Sequence, residues 1–318
     1  MSSLFPNAMK VRVKSVTWET DLIKVYELCA LDGADLPSFT AGAHVLVQLG
    51  DNFVRSYSLM NSPEERHRYV LGVALDRFSR GGSRYFHEKV HAGSELSVQA
   101  PINQFELNET APHIILIGGG IGVTPLVSMA NRLTNVGISW TMHYATRSGR
   151  DAAFHDVLSA LGDNYQWHGD EEKGHLLDIE GIVKTAPIGT HFYCCGPSSM
   201  LSSFKNATEG VEVNRVHIEY FAPIQEALVA GGFDVVLARS GRIIPIAPGK
   251  TILDALHDCQ IAVPSSCLQG VCGACETTVL SGVPVHRDVV LSDAERSSNK
   301  TMMICCSGSK GARLVLDL

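Results

Sequence analysis

Ile114-Ile115-Leu116-Ile117-Gly118-Gly119-Gly120-Ile121-Gly122-Val123-Thr124-Pro125 divides the chain into two kinds of sequence. A short apolar run suited to a buried strand passes into a glycine turn, and an apolar helical stretch follows. Strand, glycine turn and helix start together make an anion site. The amides point outward, the helix dipole adds positive potential, and missing side chains let a pyrophosphate lie on the backbone. Thr124 would add a hydroxyl donor. A tight turn without a ligand also uses glycine, so the stretch alone leaves both readings open. Beyond it, strand and helix patterns alternate through a strand around Ile138 to Tyr144 and a passage ending at His191 to Cys195, which predicts a parallel α/β domain. Tyr193-Cys194-Cys195-Gly196-Pro197 then turns sharply at the carboxyl edge, where such sheets bind ligands. Cys195 offers a small polarizable side chain there, against a reading as core packing, and packing is the better reading for Cys194.

Upstream, residues 10 to 107 alternate short β-branched runs with turn residues, as in Ala43 to Leu49, Tyr69 to Leu75 and Glu95 to Ala100. That spacing predicts an antiparallel barrel or sandwich. Within it, Arg55-Ser56-Tyr57-Ser58-Leu59 places an arginine, a ring and hydroxyls in a strand that could face a flat heterocycle. Arg80-Gly81-Gly82-Ser83 precedes a helix-like stretch and suits a phosphate. Downstream, Phe233 to Ala238 and Arg242 to Ile246 read as a hairpin and Ile252 to Asp258 as a short helix. Cys267, Cys272 and Cys275 follow in a C-x₄-C-x₂-C run, and Cys305 stands at the end of an apolar strand. This is the spacing of plant-type [2Fe–2S] sites, three thiolates from one loop and a fourth from a distant strand. Gly270 and Gly273 allow that loop to approach sulfide closely. A zinc ribbon would pair C-x₂-C with C-x₂-C.

At 318 residues the chain suits two or three domains, and a formal net charge of −7 gives no basic footprint for nucleic acid. The longest apolar stretch, His113 to Ala130, is broken by four glycines and Pro125, so no membrane span is expected. The first residues lack a basic start and an apolar core, and nine cysteines is an odd number, so a reducing cytoplasmic setting is expected. The thirteen histidines form no paired metal spacing. His286-Arg287-Asp288 reads as a local turn and Glu171-Glu172-Lys173 as a solvated charge cluster.

In order, R-S-Y-S-L, R-G-G-S, G-G-G-I-G-V-T-P, C-G-P and the cysteine run resemble the phthalate dioxygenase reductase family over essentially the whole chain. These are reductase components of Rieske-type aromatic oxygenases and demethylases, related to ferredoxin–NADP reductases. The resemblance implies an FMN-binding β-barrel (1–108), an NAD(P)-binding α/β domain (109–224), a linker (225–232) and a C-terminal β-grasp ferredoxin domain (233–318). It implies FMN at Arg55, Ser56, Tyr57 and Ser58, with its phosphate at Arg80, Gly81, Gly82 and Ser83. It implies NADH at Gly120, Thr124, Cys195 and Gly196. The family also places an aromatic near the flavin, for which Tyr220 and Phe221 compete and Phe221 is taken, so Cys195, Ser58 and Phe221 would border the reacting rings. For the fourth iron ligand the family's spacing selects Cys305 over Cys306, which would then face away. Thr146-Arg147-Ser148 leaves the coenzyme open, because Arg147 could accept a 2′-phosphate while Asp170 could meet a ribose or adenine.

The expected route runs from NADH through FMN and [2Fe–2S] to a Rieske-type terminal oxygenase, with the chain itself a monomer. Plant-type clusters lie near about −400 mV and Rieske centres between about −150 and +300 mV, so that final transfer is downhill. The alternative is a FAD-containing reductase of the same order serving another acceptor, such as a hybrid-cluster protein. Residues 233 to 318 carry eight acidic and eight basic side chains, so net charge does not mark a docking face.

Overall fold

The computed structural model describes residues 8–50, 53–76, 81–221, 232–265, 270, 273–288 and 290–318. Its contacts form two compact units, one running to Glu219 and the other from Tyr220 to Leu318.

The first unit opens with strands β1 (Met9–Thr20), β2 (Ile23–Ala30), β3 (His44–Leu49), β4 (Phe53–Ser58) and β5 (Tyr69–Ala74), then helix α1 (Gly82–Lys89) and β6 (Glu95–Val98). The sheet order is β4-β3-β6-β1-β2-β5, with antiparallel neighbours throughout. A bridge between Leu59 and Leu71 joins the two edges, closing the sheet into a barrel. In β1 the buried Val11 and Val13 alternate with exposed Lys10, Arg12 and Lys14, the period of two that a half-buried strand requires. Their inward partners include Tyr26, Leu28, Val45, Val47 and Phe86.

The same unit continues with β7 (Ile114–Gly119), α2 (Val123–Val136), β8 (Trp140–Thr146), α3 (His155–Ser159), β9 (Tyr165–Gly169), α4 (Asp170–Lys173), α5 (Ile179–Thr185), β10 (His191–Cys195), α6 (Ser198–Ala207) and β11 (Val216–Glu219). The five strands are parallel in the order β11-β10-β7-β8-β9. The chain proceeds from β7 through β8 to β9 on one side, then returns to place β10 on the other. The switch in direction therefore falls between β7 and β10, where open α/β sheets bind ligands. β7 is buried at every position, as a central parallel strand covered on both faces should be. An apolar core joins Ile23 and Met60 of the barrel segment to Leu126 of α2 and Met142 of β8.

The second unit contains β12 (Phe233–Leu237), β13 (Ile243–Ile246), α7 (Ile252–Asp258), β14 (Glu276–Ser281), β15 (Pro284–Val285), α8 (Asp293–Ser298), β16 (Thr301–Met303), β17 (Gly308–Ser309) and β18 (Arg313–Leu316). Its main sheet has the order β13-β12-β18-β14-β16, with β12 and β18 parallel and the other pairs antiparallel. The mixed sheet grasps α7, whose Ile252, Leu253 and Leu256 join a core with Val235, Ile244, Met303 and Leu314. A capping box on Thr251 and Asp254 starts α7.

Candidate functional site

Two motifs separated in sequence meet on the barrel. Arg55 lies on β4 opposite Val47, and a Cβ placed on Gly82 would stand 2.8 Å from Arg55 Cγ and 3.1 Å from its Nε. Glycine at 82 thus lets the arginine lie across the start of α1. Gly81 precedes that helix at φ 106°, a left-handed conformation that glycine adopts without a Cβ penalty. The N-cap glycine makes no side-chain hydrogen bond at the start of α1, a helix start of the kind that suits an anion. Ser83 Oγ accepts from the Asp76 amide at 3.1 Å, which leaves its proton free to donate. Arg80 lies outside the described residues. Tyr57 sits edge-on to Phe86 with ring centroids 4.8 Å apart, and burial pushes its hydroxyl pKa up despite the nearby Arg55 charge. It therefore stays a neutral ring. Ser58 is buried and pairs with His44 across the ladder, while Ser56 pairs with Leu46. These donors fit a flavin phosphate and its attached ring system.

A second candidate site, for a nucleotide, lies at the switch point. A Cβ on Gly122 would overlap the Cys195 carbonyl and stand 2.7 Å from the Gly196 amide, and one on Gly119 would stand 2.7 Å from Pro197 Cδ. The two glycine turns are therefore in backbone contact, which no side chain would permit. Gly120 takes φ 52° with open space beside it. Helix α2 starts without a side-chain cap, which fits a pyrophosphate. Thr124 departs from expectation. Its hydroxyl donates to the Ile121 carbonyl at 2.9 Å, and its methyl would stand 2.8 Å from a Cβ on Gly72 of β5. The side chain closes the helix start and packs on the barrel, leaving the phosphate to the backbone amides.

Cys195 is fully buried at the end of β10, paired with Gly118 on one side and Glu219 on the other. Burial, reinforced by Glu219, pushes its thiol pKa far up. It stays a neutral thiol and is no nucleophile. At the adjacent carboxyl ends of β8 and β9, the Arg147 carbonyl accepts from the Glu171 amide at 2.9 Å, so Arg147 and Asp170 are neighbours. Asp170 Oδ1 is buried without a hydrogen-bond partner, with His168 Nε2 3.5 Å away. The Glu171-Glu172-Lys173 segment is not simply a solvated cluster. It belongs to α4, and Glu172 Oε1 accepts from the Gly149 amide at 2.8 Å, tying the loop after β8 to that after β9. Its signal was the bare amide of Gly149, which needs an acceptor that only folding supplies. Phe221 is half-buried and begins the second unit with Tyr220.

In the second unit, Cys275 and Cys305 are both buried in one core. Gly270 and Gly273 take φ 73° and 76°, as a loop folding back on itself requires. Two buried thiols of one core fit half the ligand set of a [2Fe–2S] cluster. Cys267 and Cys272 lie outside the described residues. Cys306 packs against Gly270. A Cβ on Gly270 would fall on its Sγ, because Ile304 to Cys306 form a turn in which neighbouring side chains no longer oppose each other as in a strand. His286-Arg287-Asp288 is also more than a turn. Asp288 is buried against Gly270, accepts from the Leu291 amide at 2.9 Å, and through its carbonyl accepts from Arg296 Nη2 at 2.6 Å.

Known proteins share this arrangement. A family profile described as 2Fe-2S iron-sulfur cluster binding domain matches residues 235–309. The chain is 51% identical to phenoxybenzoate dioxygenase subunit beta of Ectopseudomonas oleovorans, covering 98% of this chain and 97% of that protein. It is 47% identical to tetrachlorobenzoquinone reductase of Sphingobium chlorophenolicum, over 98% of each. Among solved structures, phthalate dioxygenase reductase, described as a modular structure for electron transfer from pyridine nucleotides to [2Fe-2S], aligns with a TM-score of 0.88 and 35% identity over 98% of both chains. With similarity spanning barrel, nucleotide sheet and iron–sulfur domain alike, the chain belongs to the phthalate dioxygenase reductase family of oxidoreductases.

Proposed function

We propose that this chain passes electrons from NADH through FMN and a [2Fe–2S] cluster to a Rieske-type terminal oxygenase or demethylase. The observation that carries the reading is the junction within the first unit. The barrel with its phosphate cradle and the nucleotide sheet with its glycine turn share an apolar core, and Thr124 packs on β5. Hydride donor and acceptor are thereby held by one packed body, and proximity of that kind sets the rate of transfer. A bound flavin supplies the conversion between the two-electron chemistry of NADH and the one-electron chemistry of the cluster.

In this reading Arg55, Ser56, Tyr57 and Ser58 hold the isoalloxazine and Arg80, Gly81, Gly82 and Ser83 the FMN phosphate. Gly120, the backbone of Thr124, Arg147, Asp170 and Gly196 line the dinucleotide site. Cys195 shapes the nicotinamide pocket as a neutral thiol, and Phe221 is the aromatic assigned to the flavin. Cys267, Cys272, Cys275 and Cys305 ligate the cluster, and the segments are 1–108, 109–224, a linker at 225–232, and 233–318. Among the described residues no helix is long and apolar enough to cross a membrane.

Anaerobic titration with NADH should bleach the flavin absorption and then that of the cluster, and acid extraction should release FMN. A flavin left oxidised by NADH would refute the route, and FAD in the extract would favour the relative with another acceptor. The tetrachlorobenzoquinone reductase at 47% identity favours a second reading, in which a substituted quinone accepts the electrons. Rapid NADH oxidation by a chlorinated benzoquinone, with none by a Rieske protein, would select it.

A further inference from the structure

One buried ring nitrogen of the barrel stands beside the R-S-Y-S motif with nothing to bond. His44 opens β3 and lies opposite Ser58, the last residue of β4. The backbone of His44 is turned the other way, its amide donating to the Ile102 carbonyl and its carbonyl accepting from the Ile102 amide, each at 2.9 Å. The Leu59 amide passes the pair and donates to the Ala43 carbonyl at 2.9 Å. His44 and Ser58 are therefore a non-hydrogen-bonded pair of the antiparallel ladder. Such pairs bring opposed residues closest, with Cα atoms about 4.5 Å apart and both side chains on one face. The other face of β3 carries Val45 and Val47 into the barrel core. His44 is 3% exposed and Ser58 6%, so both side chains are shut off from water. Among the described residues His44 Nε2 has no hydrogen-bond partner. Burial keeps the ring uncharged, with a proton on one nitrogen and a lone pair on the other. A buried nitrogen left unbonded costs stability. The fold alone thus gives no reason for a histidine here, and the neighbouring hydroxyl supplies one.

We propose that His44 is a positioning residue of the flavin site, donating from Nε2 to the Ser58 hydroxyl when the flavin is bound, so that Ser58 turns its own proton toward the isoalloxazine. The proposal rests on the reading that Ser58 meets that ring system. A serine hydroxyl has one proton and rotates to suit its surroundings, so a fixed donor beside it decides which way the proton points. The oxidised isoalloxazine offers carbonyl oxygens and unprotonated ring nitrogens, and a directed hydroxyl proton matches these acceptors. An uncharged imidazole gives that direction without placing a charge beside the ring. His44 passes no proton on and touches no reacting atom, acting only through Ser58.

Titration of FMN into the full-length protein stripped of flavin, followed by fluorescence quenching and by the absorption spectrum of the bound flavin, provides the test. His44→Leu should bind FMN about 3- to 10-fold more weakly, the worth of one neutral hydrogen bond, and should shift the visible band of the bound flavin. Its flavin-free form should melt no lower than the parent, since an unbonded polar atom gives way to an apolar side chain. His44→Gln keeps an N–H donor and should stay within about twofold of the parent affinity. Ser58→Ala should lose as much as His44→Leu, and the double variant little more, because a positioning residue acts only through the group it positions. Unchanged affinity and spectrum in His44→Leu, a His44→Gln protein as weak as His44→Leu, or losses that add in the double variant would overturn the proposal. Should His44→Leu not fold, the parent protein still decides. The imidazole nitrogen resonances of His44 should move when FMN is added and move less in Ser58→Ala, and resonances indifferent to FMN would overturn the role. Ser58→Ala with the parent affinity and spectrum sinks the underlying assignment of Ser58, whereas a loss confined to Ser58→Ala sinks only the role of His44.

Discussion

Gly82→Ala should weaken FMN binding without weakening the fold. A Cβ at this position would stand 2.8, 3.1 and 3.3 Å from Cγ, Nε and Cδ of Arg55. All three are side-chain atoms, so the arginine swings aside and the backbone stays. The charged donor then leaves the cradle, and losing a hydrogen bond to a charged group costs about 1.5–3 kcal/mol, or roughly 10- to 100-fold in affinity. Gly82 is the first residue of α1, and alanine is favoured over glycine in a helix by up to about 1 kcal/mol, so the apoprotein should melt no lower than the parent. Quenching of FMN fluorescence on titration with apoprotein gives the affinity, and thermal melts give the stability. Arg55→Ala should cause a loss of similar size, and the double variant should lose little more, because both changes remove the same arginine. Unchanged FMN affinity in Gly82→Ala, or losses that add in the double variant, would refute the reasoning.

The other expectations differ in kind. Gly122→Ala should cost more than about 4 kcal/mol or yield no soluble protein, since its Cβ meets only backbone of Cys195 and Gly196; a urea midpoint near that of the parent would contradict it. Arg147→Ala should reduce kcat/KM for NADPH more than for NADH, because an exposed guanidinium at this position would serve a 2′-phosphate; steady-state assays with both coenzymes decide. Burial pulls the His44 imidazole down to a pKa of about 4 and leaves Nε2 without a partner. The unfolded chain thus binds more protons between about pH 6.5 and 4, and stability should be full above that window and fall by up to about 3 kcal/mol as pH drops through it. Urea unfolding at a series of pH values should show this slope, and His44→Gln should flatten it. Iodoacetamide should leave Cys195 unlabelled in the native protein at mildly alkaline pH, and mass spectrometry showing its alkylation would place the thiol outside the buried, neutral state found here.

Much of the architecture was readable because it rests on short-range rules. The period of two in Lys10 to Lys14, the apolar run into glycine at Ile117-Gly118, and the cysteine spacing each encode a local requirement of strand, turn or cluster loop. The strand expected at Ile138 to Tyr144 runs from Trp140 to Thr146, a shift of the size that β-branched residues outside a strand end readily cause. What the chain order hides is anything decided between elements. Arg55 and Gly82 are distant in sequence yet make one cradle. The hydroxyl of Thr124 looks like a phosphate donor until the Ile121 carbonyl needs it. Cys306 meets Gly270 because its segment is a turn and not the strand its apolar neighbours suggest.

The glycines show why those between-element contacts govern function. At Gly82 the missing Cβ admits a side chain, at Gly122 it admits another backbone, and at Gly120 it leaves open space. Only the last follows from the usual argument about glycine-rich phosphate turns, in which room is kept for a ligand. The first two keep room for the protein itself, bringing barrel strand to helix and one strand end to another. Each lies beside a proposed ligand phosphate, so the surfaces that would receive the flavin and the dinucleotide depend on how closely their supporting elements approach. Substitution at Gly120 should therefore disturb nucleotide binding directly. Substitution at Gly82 or Gly122 should act through Arg55 or Cys195, and the difference is measurable as a loss of affinity with, or without, a loss of stability.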